Sequence, residues 1–67
     1  MAGNFVTIDY TNHRGERSLR TICPLEVVFE STEWHLEEQW LLKAYDTEKG
    51  VWRFFAMKDI HSWMSHK

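Results

Sequence analysis

The stretch that decides the fold spans residues 39–60 and reads QWLLKAYD (39–46), TEKG (47–50), VWRFFAM (51–57) and KDI (58–60). Both apolar arms are dense in aromatic and aliphatic residues, which suit a pleated, half-buried surface. The link between them ends in Gly50, a residue that can adopt the positive φ such a turn often requires. The pattern predicts a β-hairpin that runs into a short helical turn. Because both faces carry apolar groups, a central place in the sheet is expected.

Two more strands are predicted before the hairpin. In residues 5–11, apolar Val6, Ile8 and Tyr10 alternate with polar residues, which is typical of a strand with one wet face. Residues 17–30 form a longer extended segment that Pro24 interrupts, since proline cannot donate a ladder hydrogen bond. A long strand that bends there is a common way for a small sheet to curl into a barrel.

The remaining segments are less regular. Residues 31–38 are predicted to form a loop or a single turn, in which Trp34 folds back as a lid on the core because tryptophan is rarely left exposed. Residues 58–64 are predicted to form a helical turn or a last short strand. The 67 residues are expected to make one domain, 1–67, because a chain this short can build only one modest core.

Charge is unevenly distributed along the chain. The net charge of −2 argues against a domain that binds nucleic acid through its overall charge. Residues 1–24 carry a formal charge of +1, residues 25–48 carry −6, and residues 49–67 carry +3. A folded sheet can therefore gather arginines from both ends on one face and leave the acidic middle elsewhere. The alternative is that these charged side chains are simply solvated on the surface and have no binding role.

No catalytic or metal-binding pattern stands out. The histidines show no i, i+4 pair on a predicted helix, and the single cysteine rules out a Cys-x-x-Cys knuckle. Cys23 precedes Pro24 in an apolar strand, where a buried and unreactive thiol is expected. The sequence therefore predicts a non-enzymatic protein without metal or cofactor. With one cysteine, no signal-peptide pattern and no long apolar run, a cytoplasmic location and no membrane partner are expected.

Five short motifs in order resemble the WYL domain family across residues 6–60. They are IDY (8–10), GE (15–16), RTICPL (20–25), WLL (40–42) and RFFAMKDI (53–60). The resemblance implies an all-β fold, a small SH3-like (Sm-like) five-stranded barrel with a short helical turn near the C-terminus. In that family the domain usually follows a DNA-binding helix-turn-helix domain in bacterial transcription regulators. It is regarded there as a sensor that binds a small ligand or nucleic acid through a basic pocket.

The chain departs from the family pattern at two positions. Leu41 stands where the family's name motif has tyrosine, so a polar contact is missing. In Lys58-Asp59-Ile60 an acid stands where the family often has a base. No DNA-binding domain precedes the matching residues, so a stand-alone domain is expected.

The resemblance and the charge pattern together point to a basic ligand site. The matching basic positions are Arg20, Arg53 and Lys58, with Tyr10 and His61 as their neighbours. Guanidinium groups bind phosphate bidentately. Exposed rings beside them, such as Tyr10, Trp52 or Trp34, could stack on bases. The alternative for each arginine is a cross-strand ion pair with Asp9, Glu16 or Asp46.

The sequence therefore predicts a non-enzymatic regulatory module that senses an anionic small molecule or single-stranded nucleic acid. The alternative is a protein-interaction or self-associating adaptor, for example a homodimer, with no anion site. A small barrel rich in aromatic rings leaves an apolar patch or a strand edge open for such contacts. The acidic region of residues 26–38 would suit a basic partner, or would simply keep the domain soluble.

Overall fold

The computed structural model describes residues 4–33 and 35–66, which form one antiparallel sheet of five strands in the order β4-β3-β2-β1-β5. The strands are β1 (Val6–Thr11), β2 (Arg17–Glu30), β3 (Gln39–Asp46), β4 (Val51–Ala56) and β5 (Ile60–Ser65). A single-turn 3-10 helix (Met57–Asp59) links β4 to β5. The predicted all-β fold is confirmed. The predicted lid residue Trp34 lies outside the described residues.

The long strand β2 is the centre of the sheet. Its first half pairs with β1, from Arg17 opposite Thr11 to Ile22 opposite Val6. Its second half pairs with β3, and the register shifts between Pro24 and Glu26. The predicted interruption at Pro24 is present, because one extra residue on β2 lets the strand change direction while it keeps its partner.

The 39–60 hairpin is not central, and the prediction that placed it there is wrong. β4 is an edge strand, and β2 takes the middle of the order. The loop before β3 lies against β4, since His35 Nε2 donates to the carbonyl oxygen of Phe54 at 3.3 Å. In the part of the chain that is described, β4 has no strand partner on its outer side, and this loop lies along that edge.

The core forms where the two ends of the sheet approach each other. It contains Val6, Ile8, Tyr10, Ile22, Leu42, Ala44 and Phe55, with Ile60 packed against it. The rings of Tyr10 on β1 and Phe55 on β4 meet edge to face at 4.9 Å. The Ala56 N–H donates to the Tyr10 hydroxyl at 3.4 Å. These contacts join strands that are not neighbours in the sheet, so the sheet is curled.

The curled sheet does not close by strand pairing. Among residues 4–33 and 35–66, no ladder joins β4 to β5. The SH3-like barrel implied by the family resemblance therefore stays a prediction. Within the same residues, no helix has the length and apolar character to cross a membrane.

Candidate functional site

The turn between β3 and β4 is built on a buried carboxylate. Asp46, the last residue of β3, has no exposed surface. Its Oδ1 accepts hydrogen bonds from the backbone N–H groups of Glu48 at 3.0 Å and Lys49 at 3.2 Å. Gly50 has a φ of +68°, and its N–H donates to the Asp46 carbonyl at 2.8 Å. One aspartate therefore shapes the turn and leaves its second oxygen for another partner.

Two arginines share that second oxygen. Nη1 of Arg20 lies 3.5 Å from Asp46 Oδ2, and Nη1 of Arg53 lies 3.6 Å from the same atom. Charge-assisted hydrogen bonds in proteins are usually about 2.7–2.9 Å long, so both contacts are loose. The three side chains keep a net formal charge of +1. The two arginines therefore both pair with Asp46 and converge on one place in the structure.

An open groove of about 580 Å³ lies beside this cluster and is called the basic groove below. It is formed by the β1–β2 turn, the loop before β3 and the edge strand β4. Its lining residues are Tyr10, Asn12, His13, Arg14, Thr32, Glu33, His35, Trp52, Arg53 and Phe54. Two arginines face one glutamate in this set, so the lining is positively charged even with both histidines neutral.

Aromatic rings form part of the groove wall. Trp52 is 49% exposed, and its ring meets Tyr45 edge to face at 5.4 Å. The guanidinium of Arg53 lies over the ring of Phe55, 5.7 Å from the centroid, which helps to hold the arginine in place. A half-exposed indole beside a positioned guanidinium offers both a stacking surface and an anion contact.

Tyr10 forms the buried floor of the groove. Burial raises the pKa of its hydroxyl above the ordinary value of 10.0, although the hydrogen bond from the Ala56 N–H opposes that rise. Among the nearby charges, Asp59 raises the pKa, and Arg53 and Arg20 lower it. The neutral hydroxyl therefore lies within the field of both arginines.

Not all of the predicted site residues come together. Arg20 and Arg53 meet at Asp46, and Tyr10 lies within their electrostatic field, although Arg20 does not line the basic groove. Lys58 is exposed on the 3-10 helix and lines a second depression of about 300 Å³, which shares His13 and His35 with the basic groove. Among the described residues, Lys58 does not belong to the lining of the basic groove.

His61 lies on a different face from Tyr10. Its Nε2 forms a hydrogen bond of 2.7 Å with Thr11 Oγ1. Side chains alternate along a strand, so Thr11 points away from the face that carries Tyr10. His61 therefore does not join the cluster around Asp46.

On that outer face, Asp9 pairs with Arg17 rather than with either predicted arginine. Nε and Nη2 of Arg17 donate to the two oxygens of Asp9, both at 2.9 Å. This hydrogen-bonded guanidinium lowers the pKa of Asp9 despite an opposing effect of burial. The pair is separate from the basic groove, which makes Arg17 a natural control for charge effects.

The residues of the two loops that line the groove were not predicted from the sequence to contribute to the site. Arg14 lies in the β1–β2 turn, where Asn12 Oδ1 accepts from the N–H groups of Arg14 at 2.9 Å and Glu16 at 3.0 Å. Gly15 supplies the positive φ of +82° in that turn. The residues Asn-His-Arg-Gly indicate a basic turn, but only the curl of the sheet brings it opposite β4. Among the described residues, no group of three His, Cys, Asp or Glu is placed to hold a metal ion.

Comparisons with known proteins give the chain its context. The family model for the WYL domain matches residues 1–64. The structure is similar to proteasome accessory factor B/C (PafBC) of Arthrobacter aurescens, with a TM-score of 0.70 and 23% sequence identity. The match covers 96% of this chain and 9% of the PafBC chain, so this chain spans a small part of that protein. No curated protein matches the sequence.

Proposed function

The chain belongs to the WYL domain family, and we propose that it is a non-enzymatic regulatory module that binds an anionic ligand in the basic groove. The ligand class is a phosphate-bearing small molecule or single-stranded nucleic acid. The observation that carries the proposal is that Arg14, Arg53 and the half-exposed ring of Trp52 line one groove.

The groove offers both interactions that such a ligand needs. A guanidinium binds phosphate oxygens with two parallel hydrogen bonds, which fixes position as well as charge. Stacking of a base on an aromatic ring contributes about 1–3 kcal/mol in single-strand binding proteins. The groove volume of about 580 Å³ also suits a small ligand, since such sites usually measure about 300–1,000 Å³.

The regulatory setting is supported by the family and by the PafBC likeness. We extend this to ligand-dependent control of transcription in a bacterial cytoplasm. For the architecture, we propose an SH3-like barrel that is left open beside β4. The curl that joins Tyr10 to Phe55 and the short helix between β4 and β5 support it.

Binding rather than catalysis is proposed because two arginines and a half-exposed indole in the groove suit an anionic, stacking ligand. The side chains that line the groove include two arginines, two histidines, two hydroxyl groups, one amide and one carboxylate. Cys23, the single thiol, is buried and is not part of the groove lining. Nucleophilic catalysis requires a nucleophile, a base and an orienting group in mutual contact.

Titration with a fluorescent oligothymidylate and with a mononucleotide, at low and high salt, tests the proposal. Affinity is expected to fall as salt rises, because phosphate contacts release counterions. Arg14→Ala and Trp52→Ala are each expected to weaken binding about tenfold, which corresponds to about 1.4 kcal/mol. Arg17→Ala removes a cation outside the groove and is expected to leave affinity nearly unchanged.

The two probes separate the ligand sources. Equal affinity for the mononucleotide and the oligomer would assign a small-molecule ligand, whereas affinity that grows with oligomer length would assign a single strand. Absence of binding to either probe at low salt, or equal losses from Arg17→Ala and Arg14→Ala, would contradict the proposal.

A further inference from the structure

Two histidines are shared by the basic groove and the second depression. His13 and His35 belong to the lining of both cavities, so a ligand that fills either cavity lies beside these two rings. They come from different segments, because His13 lies in the β1–β2 turn and His35 lies in the loop before β3. The two cavities therefore adjoin at a pair of imidazoles.

The side chains of fixed charge around these rings balance each other. The basic groove has two cations and one anion, and the second depression has one cation and two anions. The formal charge is therefore +1 in the groove, −1 in the depression and zero for the two together. These side chains are Arg14, Arg53 and Glu33 in the groove, and Lys58, Glu37 and Asp59 in the depression.

Protonation of the two shared rings reverses the sign of the depression. Each imidazolium adds one positive charge to both linings, so the depression changes from −1 to +1 and the groove from +1 to +3. Histidine is the side chain that ordinarily changes its charge between about pH 8 and pH 5. Carboxylates ordinarily titrate near pH 4, so the acidic side chains keep their charge over that range. Tyr10 stays neutral there, since burial raises its pKa.

The hydrogen bond that positions His35 leaves one ring nitrogen for the added proton. A carbonyl oxygen can only accept, so Nε2 of His35 carries the hydrogen in its 3.3 Å contact with Phe54. In the neutral ring Nδ1 then has no hydrogen, and a proton added there leaves the bond to Phe54 intact. His13 is exposed, so water hydrates its charged form. The pair can therefore become charged without a change of fold.

We propose that His13 and His35 contact the anionic ligand and that their protonation controls its affinity. The inference rests on the proposed function, because it concerns the same ligand. Protonation gives each ring a second N–H donor as well as a charge. A charged donor binds a phosphate oxygen more strongly than a neutral donor does.

The change of sign in the depression also makes the effect depend on the length of the ligand. With neutral histidines, only the groove has a positive lining. With charged histidines, the depression has a positive lining too, and it can hold a second phosphate. A strand with two phosphodiesters is therefore expected to gain more from acidification than a strand with one.

Titration of the protein with a thymidine dinucleotide and a thymidine trinucleotide, at about pH 8 and about pH 5.5 in low salt, tests the inference. A phosphodiester keeps its single charge over this range, so the ligand contributes no titration of its own. The affinity for the dinucleotide is expected to rise about tenfold on acidification, as for a hydrogen bond to a charged group. The rise is expected to be larger for the trinucleotide.

His13→Gln with His35→Gln is expected to remove most of this rise, because glutamine stays neutral. His61→Gln with His66→Gln is the matched control, since these two histidines line neither cavity and form hydrogen bonds with threonines of β1. The control is expected to keep the full rise. In NMR spectra of the unchanged protein, the dinucleotide is expected to shift the ring protons of His13 and His35 and to leave those of His61 and His66 in place.

The possible failures are distinguishable. Equal affinity at the two pH values would overturn the inference and leave the proposed function standing. A rise that persists without His13 and His35, or that is lost equally without His61 and His66, would overturn it as well, because the titrating groups would then lie elsewhere. Absence of binding at both pH values would contradict the proposed function, and the inference with it. Amide spectra at both pH values show whether each variant keeps its fold.

Discussion

Arg20 and Arg53 come from different strands and place their Nη1 atoms 3.5 and 3.6 Å from a single oxygen, Oδ2 of Asp46. The other oxygen of that buried carboxylate holds the β3–β4 turn. One side chain therefore links the turn to two cations, and one of these, Arg53, lines the basic groove. Changes at Asp46 are expected to affect stability and ligand binding in opposite directions.

Asp46→Asn is expected to lower the free energy of unfolding by about 1–3 kcal/mol, because it removes the charge that compensates two neighbouring arginines. An amide oxygen can still accept the turn hydrogen bonds, so the fold is retained. The same change removes a negative charge beside the groove, so affinity for an oligonucleotide is expected to rise. Urea denaturation and fluorescence titration measure the two effects.

Glu48→Gln is the control for that variant, since it removes one negative charge from the same turn without touching the arginines. A stable Asp46→Asn protein with unchanged affinity would show that Arg53 does not contact the ligand.

Gly50→Ala is expected to destabilise the hairpin by about 1–2 kcal/mol, because a side chain at positive φ brings Cβ close to the backbone. Gly50 has a φ of +68°, and an added Cβ would lie 3.6 Å from the Tyr45 hydroxyl, which is ordinary contact distance. The cost therefore comes from the backbone rather than from crowding. Chemical denaturation measures it.

Gly50→Asn is the matched comparison, because asparagine tolerates the left-handed region better than alanine. Equal losses for the two variants would point to crowding at Tyr45 instead.

Tyr10 is expected to make stability fall at alkaline pH. Its pKa is raised mainly by burial, so the folded state favours the neutral hydroxyl. The resulting stabilisation is complete below the unfolded pKa of about 10 and is lost as the pH rises through the higher folded value. Ultraviolet titration of phenolate is expected to show one late-titrating tyrosine, and Tyr10→Phe is expected to abolish that step.

Retention of the late step in Tyr10→Phe would contradict the predicted burial effect at Tyr10.

Asp9 is expected to titrate below its ordinary range, because the Arg17 guanidinium lowers its pKa. The contribution of this pair to stability is present above the unfolded value of 3.8 and is lost as the pH falls through the lower folded pKa. NMR titration of the carboxyl carbon is expected to show the pKa of Asp9 rising in Arg17→Ala.

The hydrogen bonds to both Asp9 oxygens carry this prediction. Arg14→Ala, on the neighbouring turn, is expected to leave the Asp9 titration in place. An equal shift in both variants would indicate a general field effect rather than the pair.

The sequence by itself determined four of the five strands and left residues 58–64 open between a helical turn and a strand, where the structure has the end of the 3-10 helix followed by β5. The predicted segments 17–30 and 39–46 coincide with β2 and β3, and 5–11 and 51–57 differ from β1 and β4 by one residue at one end. These elements follow from period-two patterns and from Pro24 and Gly50, which act over a few neighbouring residues. The short motifs also identified the WYL family, which the family model confirms.

Only the tertiary structure decided what the charged side chains do. Asp46 was one of three possible partners for the arginines, and the register of the curled sheet selected it. Lys58 and His61 are close to Arg53 in sequence, but Lys58 lines the adjoining depression and His61 bonds to Thr11 on the outer face. Arg14 reaches the groove only because β1 and β4 approach across the core. Local patterns set where each strand begins and ends and which side chains share a face. A site that joins four segments depends instead on how the sheet bends.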